Sequence, residues 1–311
     1  MPFVTLPDGA RLAYDDYDFR PPWEAFLPAP GDAPPGDPGS VAPRPRGAWV
    51  PAAEHQQQSA LETVLLVHGF SKNRKFWYGW LPGLTARHRV IRLDQRGHNE
   101  SSPVPAGFQM ALEPFSDDLA RFLDGIGIER AHMVMAEFSS TVAIDFAQRY
   151  RDRIASLTLP GFAYNYRNSP IDRWEWVNLA EKEGAAAWAR ATNGNRLPVG
   201  TDPAMREWYI AEQSRMPGWF LGALFRFNMN IDMTDQLARI DVPTLIIAGG
   251  EARQGTIETI RQAQRLIPNC RLAVLDGLPY NVMSAAPERC VAETLRFIED
   301  VRAGRAARDD G

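Results

Sequence analysis

The sequence predicts an α/β protein, with a mostly parallel sheet and helices on both faces. Three observations carry that expectation. Six short, uninterrupted apolar runs are spread along the 311 residues, the pattern of strands buried on both faces. Amphipathic helical patterns lie between them. Strand and helix alternate, which specifies parallel crossover units rather than a bundle or a sandwich.

The elements follow in order. Val4 to Leu6, the turn Pro7-Asp8-Gly9-Ala10, and Arg11 to Asp16 read as a β-hairpin. The pattern then breaks, because residues 21–51 hold ten of the 25 prolines, with Gly31, Gly36, Gly39 and Gly47 among them. Such a composition cannot supply a packed core, so this stretch reads as a solvated insertion pinned by Trp23, Phe26 and Trp49. A second reading is an arm that meets a partner subunit in a homodimer. Thr63 to Val67, Val90 to Leu93, Ala131 to Met135, Ile154 to Leu159, Pro243 to Ile247 and Arg271 to Leu275 are the six strands. Phe115 to Leu123 and Ser139 to Tyr150 are helices, and Val291, Leu295 and Ile298 mark the face of a last one.

The rhythm stops between about Tyr164 and Asp241. That stretch holds Trp174, Trp176, Trp188, Trp208 and Trp219, five of the nine tryptophans. It reads as several helices inserted between two strands, forming either a plain helical core or a lid over an apolar pocket. The expected organisation is a core of residues 1–17, 61–167 and 243–303, an insertion at 18–60, a helical lid at 168–242 and a flexible tail at 304–311.

Composition narrows the function classes. A net charge of −4 gives no basic stripe to replace phosphate counterions, so no nucleic acid is expected. No apolar run approaches the roughly 20 residues that span a bilayer, so no membrane is expected. Met1 to Leu6 lacks a basic and then an apolar region, which argues against a signal peptide and for a cytoplasmic protein. Cys270 and Cys290 make neither a disulfide framework nor a metal cluster. With five histidines and no paired spacing, neither a metal nor a cofactor is expected. A small molecule is the expected partner.

Local motifs then point to a family. Leu65-Leu66-Val67-His68-Gly69-Phe70, Trp77, Asp94-Gln95-Arg96-Gly97-His98, Pro243-Thr244-Leu245-Ile246-Ile247-Ala248-Gly249 and Ala286-Pro287-Glu288 resemble the α/β-hydrolase superfamily, especially its enol-lactone and carbon–carbon-bond hydrolases. The resemblance covers nearly the whole chain outside the proline-rich insertion and implies the α/β-hydrolase fold. It also implies a serine nucleophile in G-x-S-x-G on a sharp strand–helix turn. Met135-Ala136-Glu137-Phe138-Ser139 stands there, so Glu137 occupies the serine position. The family's acid position falls on Ala252, and its histidine position, seven residues before Pro287, on Tyr280.

A serine mechanism needs a base to take the hydroxyl proton and an acid to orient that base. Neither is in place, and a conventional serine esterase is rejected. Ser71 reads as the cap of the next helix. Ser139 and Ser140 read as small residues for close packing, Glu251 as displaced from the acid position, and His98 as structural. Asn99 stands where the family has glycine, and asparagine tolerates the left-handed conformation. Lys72, Arg74 and Lys75 read as solvated, with attraction of an acidic substituent as the second reading.

Two readings of Glu137 follow. In the first it is a general base, or less readily a carboxylate nucleophile, on an apolar carbonyl compound. The resemblance places the oxyanion-hole N–H groups at Phe70 and Phe138, with Tyr280 as a hydrogen-bond donor. His68, Ser71, Trp77, Trp174, Trp176, Trp208 and Trp219 are the expected pocket. Enolisation, elimination, decarboxylation, cyclisation or carbon–carbon cleavage would suit those groups. In the second reading the protein is a non-catalytic ligand-binding or scaffold protein.

Overall fold

The computed structural model describes residues 2–18, 62–105, 108–167, 169 and 171–305. Nearly all of the expected insertion at 18–60, and most of the expected tail at 304–311, lie outside the described residues. Eight strands form one sheet: β1 (Phe3–Thr5), β2 (Arg11–Tyr17), β3 (Thr63–Val67), β4 (Arg89–Leu93), β5 (Ala131–Met135), β6 (Ile154–Pro160), β7 (Thr244–Gly249) and β8 (Cys270–Leu275). Their order is β1-β2-β4-β3-β5-β6-β7-β8. The β1–β2 and β2–β4 pairs are antiparallel and all others are parallel. All six apolar runs are strands, with ends displaced by one or two residues at most.

The helices are α1 (Leu81–Leu84), α2 (Glu113–Gly125), α3 (Ser139–Arg149), α4 (Arg173–Lys182), α5 (Ala185–Thr192), α6 (Pro203–Gln213), α7 (Gly218–Asn228), α8 (Ile257–Leu266), α9 (Val282–Ala285) and α10 (Pro287–Arg302). Side chains alternate across the sheet because the strand period is two. Leu65, Val67, Ile91, Met133 and Met135 join one core, with Phe115, Leu119 and Phe122 of α2 and Val142 and Phe146 of α3. Val64, Leu66, Val90 and Val134 join a second core, with Leu84 of α1 and Val291 and Ile298 of α10. Every residue of β3 and β5 is buried. That is why these two strands are the plainest apolar runs in the chain.

The topology decides where a ligand can sit. From β3 the chain steps outward to β4, then crosses back to β5 on the other side of β3. The switch point is therefore between β3 and β5, and a crevice opens there beyond the carboxyl ends of the strands. Val67 at the end of β3 is in register with Met135 at the end of β5. The loops that follow these two residues form the floor of the crevice. Helices α4 to α7 lie between β6 and β7 in the chain. They carry apolar faces such as Val177, Trp188, Phe220 and Phe225 onto the first core. Tyr17 is in register with Val90 and Thr63 with Arg89, so the chain leaves and re-enters the sheet at the edge remote from this crevice.

Candidate active site

The turn after β5 is built around backbone geometry. Ala136 N–H donates to Val67 O at 3.0 Å and Glu137 N–H to Pro160 O at 3.1 Å, which ties the turn to both neighbouring strands. Glu137 then adopts φ +53°, a left-handed conformation that costs a side-chain-bearing residue of order 1–3 kcal/mol. The Ser140 hydroxyl donates to Glu137 O, and α3 begins at Ser139. Gly69 must lack a side chain, because a Cβ there would stand 2.5 Å from Glu137 Oε2. The carboxylate is thus folded tightly over the turn that follows β3.

Its partner comes from that turn. Lys72 Nζ donates to Glu137 Oε1 at 2.6 Å and to Asn281 Oδ1 at 2.6 Å. Asn281 Nδ2 donates in turn to the Tyr209 hydroxyl at 2.8 Å. The two charged side chains are 1% and 10% exposed. Oε2 accepts no hydrogen bond from a described side chain, so one oxygen is held and the other is left open.

A cavity of about 250 Å³ lies over this pair. Phe70, Phe138, Trp176 and Phe225 line it, as do Glu137 and Tyr280. The Phe70 and Phe138 rings stack at 3.7 Å and 13°, which holds the two turns against each other. Neither of their backbone N–H groups donates to a described residue. The Tyr280 hydroxyl is 3.4 Å from that of Tyr166. Burial pushes Tyr166 up to about 12 and Tyr280 well above its ordinary value, the latter helped by Tyr166 and Glu137. Both phenols stay protonated near neutrality and act only as neutral hydrogen-bonding groups.

Several expectations are corrected. Lys72 and Arg74 are not solvated: each is 3% exposed, and Arg74 pairs with Asp94, Asp15 and Glu100. Only Lys75 of the three is half-exposed, reaching Glu212 at 3.3 Å. Ser71 caps no helix. Asn73 accepts from Lys75 N–H at the start of the short 3-10 helix Arg74–Trp77, while Ser71, at φ +52°, accepts from Gln213 at 2.8 Å. Of the expected pocket residues, Ser71 and Trp176 line the cavity and the others do not. His68 lies beneath it, with Nδ1 2.8 Å from Gly69 O and Nε2 accepting from Gln95 N–H. Trp77 packs on Trp80 in the second core. Trp208 sits against Phe76 and Tyr78, and Trp174 and Trp219 are 58% and 57% exposed. Alternate helical residues point away from any one surface, which aromatic density alone does not reveal.

Ala252 closes a turn onto Gly249 O at 3.2 Å and, like exposed Glu251, does not line the cavity. No histidine lines it among the described residues. His98 is buried under Phe220, and desolvation pushes it down to about 4. Asn99 adopts φ +47°, as expected of an asparagine at a glycine position. The sequence offered no signal for Asn281, Tyr209, Arg173, Arg196 and Gln254. The last three line the cavity, and no local motif marks any of them.

Residues 62–280 match the alpha/beta hydrolase fold family. RutD of Stutzerimonas stutzeri, provisionally named a carbamate hydrolase, is 28% identical over 232 residues, covering 69% of this chain and 83% of its own. The non-heme chloroperoxidase CPO-A1 of Kitasatospora aureofaciens is 25% identical, over 70% of this chain and 85% of its own. The enol-lactonase structure from Burkholderia xenovorans superposes with a TM-score of 0.75 at 18% identity, over 96% of this chain and 100% of that one. These relatives carry enzyme names, and a match across the sheet, the crevice and the intervening helices makes the chain a member of the alpha/beta hydrolase fold family.

Proposed function

We propose that the protein is an enzyme of this family that uses Glu137, at the family's nucleophile position, as a general base on an apolar carbonyl compound. The observation that carries the reading is a strained, nearly buried carboxylate at the switch-point crevice, with one oxygen held by Lys72 and the other open. Oε2 takes a proton from the carbon beside the substrate carbonyl. The C–H electron pair moves into a new carbon–carbon double bond, and the carbonyl oxygen gains negative charge. The N–H groups of Phe70 and Phe138, which have no acceptor among the described residues, stabilise that oxygen. Tyr280, kept protonated by burial, offers a neutral donor. Helices α4 to α7 act as the lid, excluding water so that these dipoles act in a low dielectric.

A covalent glutamyl ester fits less well, because no histidine lines the cavity among the described residues to activate a hydrolytic water. The lack of a lining histidine among the described residues, and of an acid at Ala252, also argues against serine-type hydrolysis. A second reading, a ligand-binding protein without turnover, is favoured by the ion pair itself, because one carboxylate oxygen is already engaged by the Lys72 ammonium at 2.6 Å. The two are separated by deuterium exchange at the carbon beside the carbonyl, followed by NMR in D2O on apolar ketones that stabilise the protein. Exchange by the wild type that Glu137→Gln loses supports the base. Binding without exchange supports the receptor.

A further inference from the structure

Among the described residues the buried arginines are matched by carboxylates, with one exception, and a half-buried arginine shares its lack. Arg74 is paired with Asp94, and Arg96 with Asp118 and Asp8, as a desolvated charge requires. Arg173 and Arg196 have no carboxylate partner among the described residues, and both line the cavity. Arg173 is 4% exposed. Its Nη2 donates to Gln254 Oε1 at 2.6 Å, which also accepts from Ser169 at 2.6 Å. Its guanidinium lies 5.1 Å from the Tyr166 ring and 5.8 Å from Trp176. Arg196 lies 3.9 Å over Trp188 and donates to Gln213 at 2.9 Å. The indole N–H of Trp188 is buried without a hydrogen-bond partner among the described residues. The Lys72–Glu137 pair cancels itself, so the inner wall keeps the positive charges of Arg173 and Arg196 and an unused donor, while a third lining arginine, Arg253, is exposed. Asp172 and Glu175, the other acids of the lining, are exposed at its rim.

We propose that the cavity takes a substrate bearing a carboxylate on an apolar, aromatic-sized body, with Arg173 binding the carboxylate and Arg196 reinforcing the same wall. Tyr166 and Tyr280 touch hydroxyl to hydroxyl between the two ends, since Tyr166 lies under Arg173 and Tyr280 lies with Glu137 on the lining. The carboxylate would therefore anchor one end of the substrate while its reactive carbon reaches Glu137. This deepens the reading above, because it rests on the cavity being the substrate site, though not on the chemistry of Glu137.

Calorimetric titration with 3-phenylpropanoate and 4-phenylbutanoate against their primary amides tests it. The wild type should bind each acid at least about tenfold tighter than its amide, the usual worth of a charged hydrogen bond. Glu137→Gln should keep that ratio or raise it, since Lys72 is left without its carboxylate, whatever happens to turnover. Arg173→Gln should bring it near one while amide affinity is retained. Equal affinity for acid and amide, no binding of either at millimolar concentration, or an undiminished ratio in folded Arg173→Gln would overturn the proposal. Should Arg173→Gln not fold, Arg173→Lys decides, since losing the planar fork should lower the ratio several-fold and an unchanged ratio counts against it. A lost ratio with exchange intact removes this inference alone, and lost exchange with the ratio intact removes only the general base.

Discussion

Replacing Lys72 by methionine keeps most of the apolar stem while deleting the charge that Glu137 faces. At 2.6 Å and an effective dielectric of about 20, the attraction is about 6 kcal/mol, and desolvation of the two ions offsets most of it. The net worth of the intact pair is therefore small. Breaking it is another matter, because Glu137 is only 8% exposed and would be left as an uncompensated charge. That situation costs about 3–5 kcal/mol, and Asn281 Oδ1 loses its donor as well. Urea unfolding followed by circular dichroism measures the loss as a lower midpoint at constant slope. Glu137→Gln in the same chain should restore much of the stability, giving a coupling energy of about 2–3 kcal/mol between the two positions. A Lys72→Met protein within about 0.5 kcal/mol of the wild type, or strict additivity in the double variant, would refute the picture of a buried, mutually dependent pair.

Two further outcomes are expected of buried groups near the same turns. Desolvation holds His98 at about 4 against an ordinary 6.5, so the unfolded chain takes up the proton first and stability is lost as pH falls from about 6.5 to 4. The effect is about 2–3 kcal/mol at pH 4, read as the urea midpoint at pH 7 and 4; a His98 ring that titrates near 6.5 by NMR contradicts it. Gly69→Ala places a Cβ 2.5 Å from Glu137 Oε2, so the carboxylate must shift and the protein should lose about 1–3 kcal/mol, seen as a lower melting temperature, whereas an unchanged melt means that the two turns are further apart.

The sheet was legible in the sequence because β3 and β5 are buried on both faces, leaving uninterrupted runs of apolar residues. The turn at Glu137 was legible for the same reason, as a buried strand and a helix with small residues bracket it. Lys72 was not. In the chain it stands among Ser71, Asn73, Arg74 and Lys75, a polar run that reads as solvated. Its burial depends on Glu137 and Asn281, which lie 65 and 209 residues away. Likewise the tryptophans of residues 174–219 announce helices but not their facing. Trp176 and Trp188 turn into the cavity, while Trp174 and Trp219, close by in sequence, stay in solvent. Arg173 and Arg196 of the cavity wall are invisible to pattern reading for a third reason: what distinguishes them is the lack of a carboxylate partner among the described residues, a property of tertiary structure alone.

In the proposed reaction the Glu137 carboxylate moves a proton in a cavity whose walls bind the substrate independently. The most direct measurement is product formation by the wild type and Glu137→Gln on compounds that both proteins bind. Glutamine keeps the size and the polar contact while removing the proton acceptor. Turnover should fall by roughly two to four orders of magnitude, with the dissociation constant changing far less. Full turnover in Glu137→Gln would contradict the account.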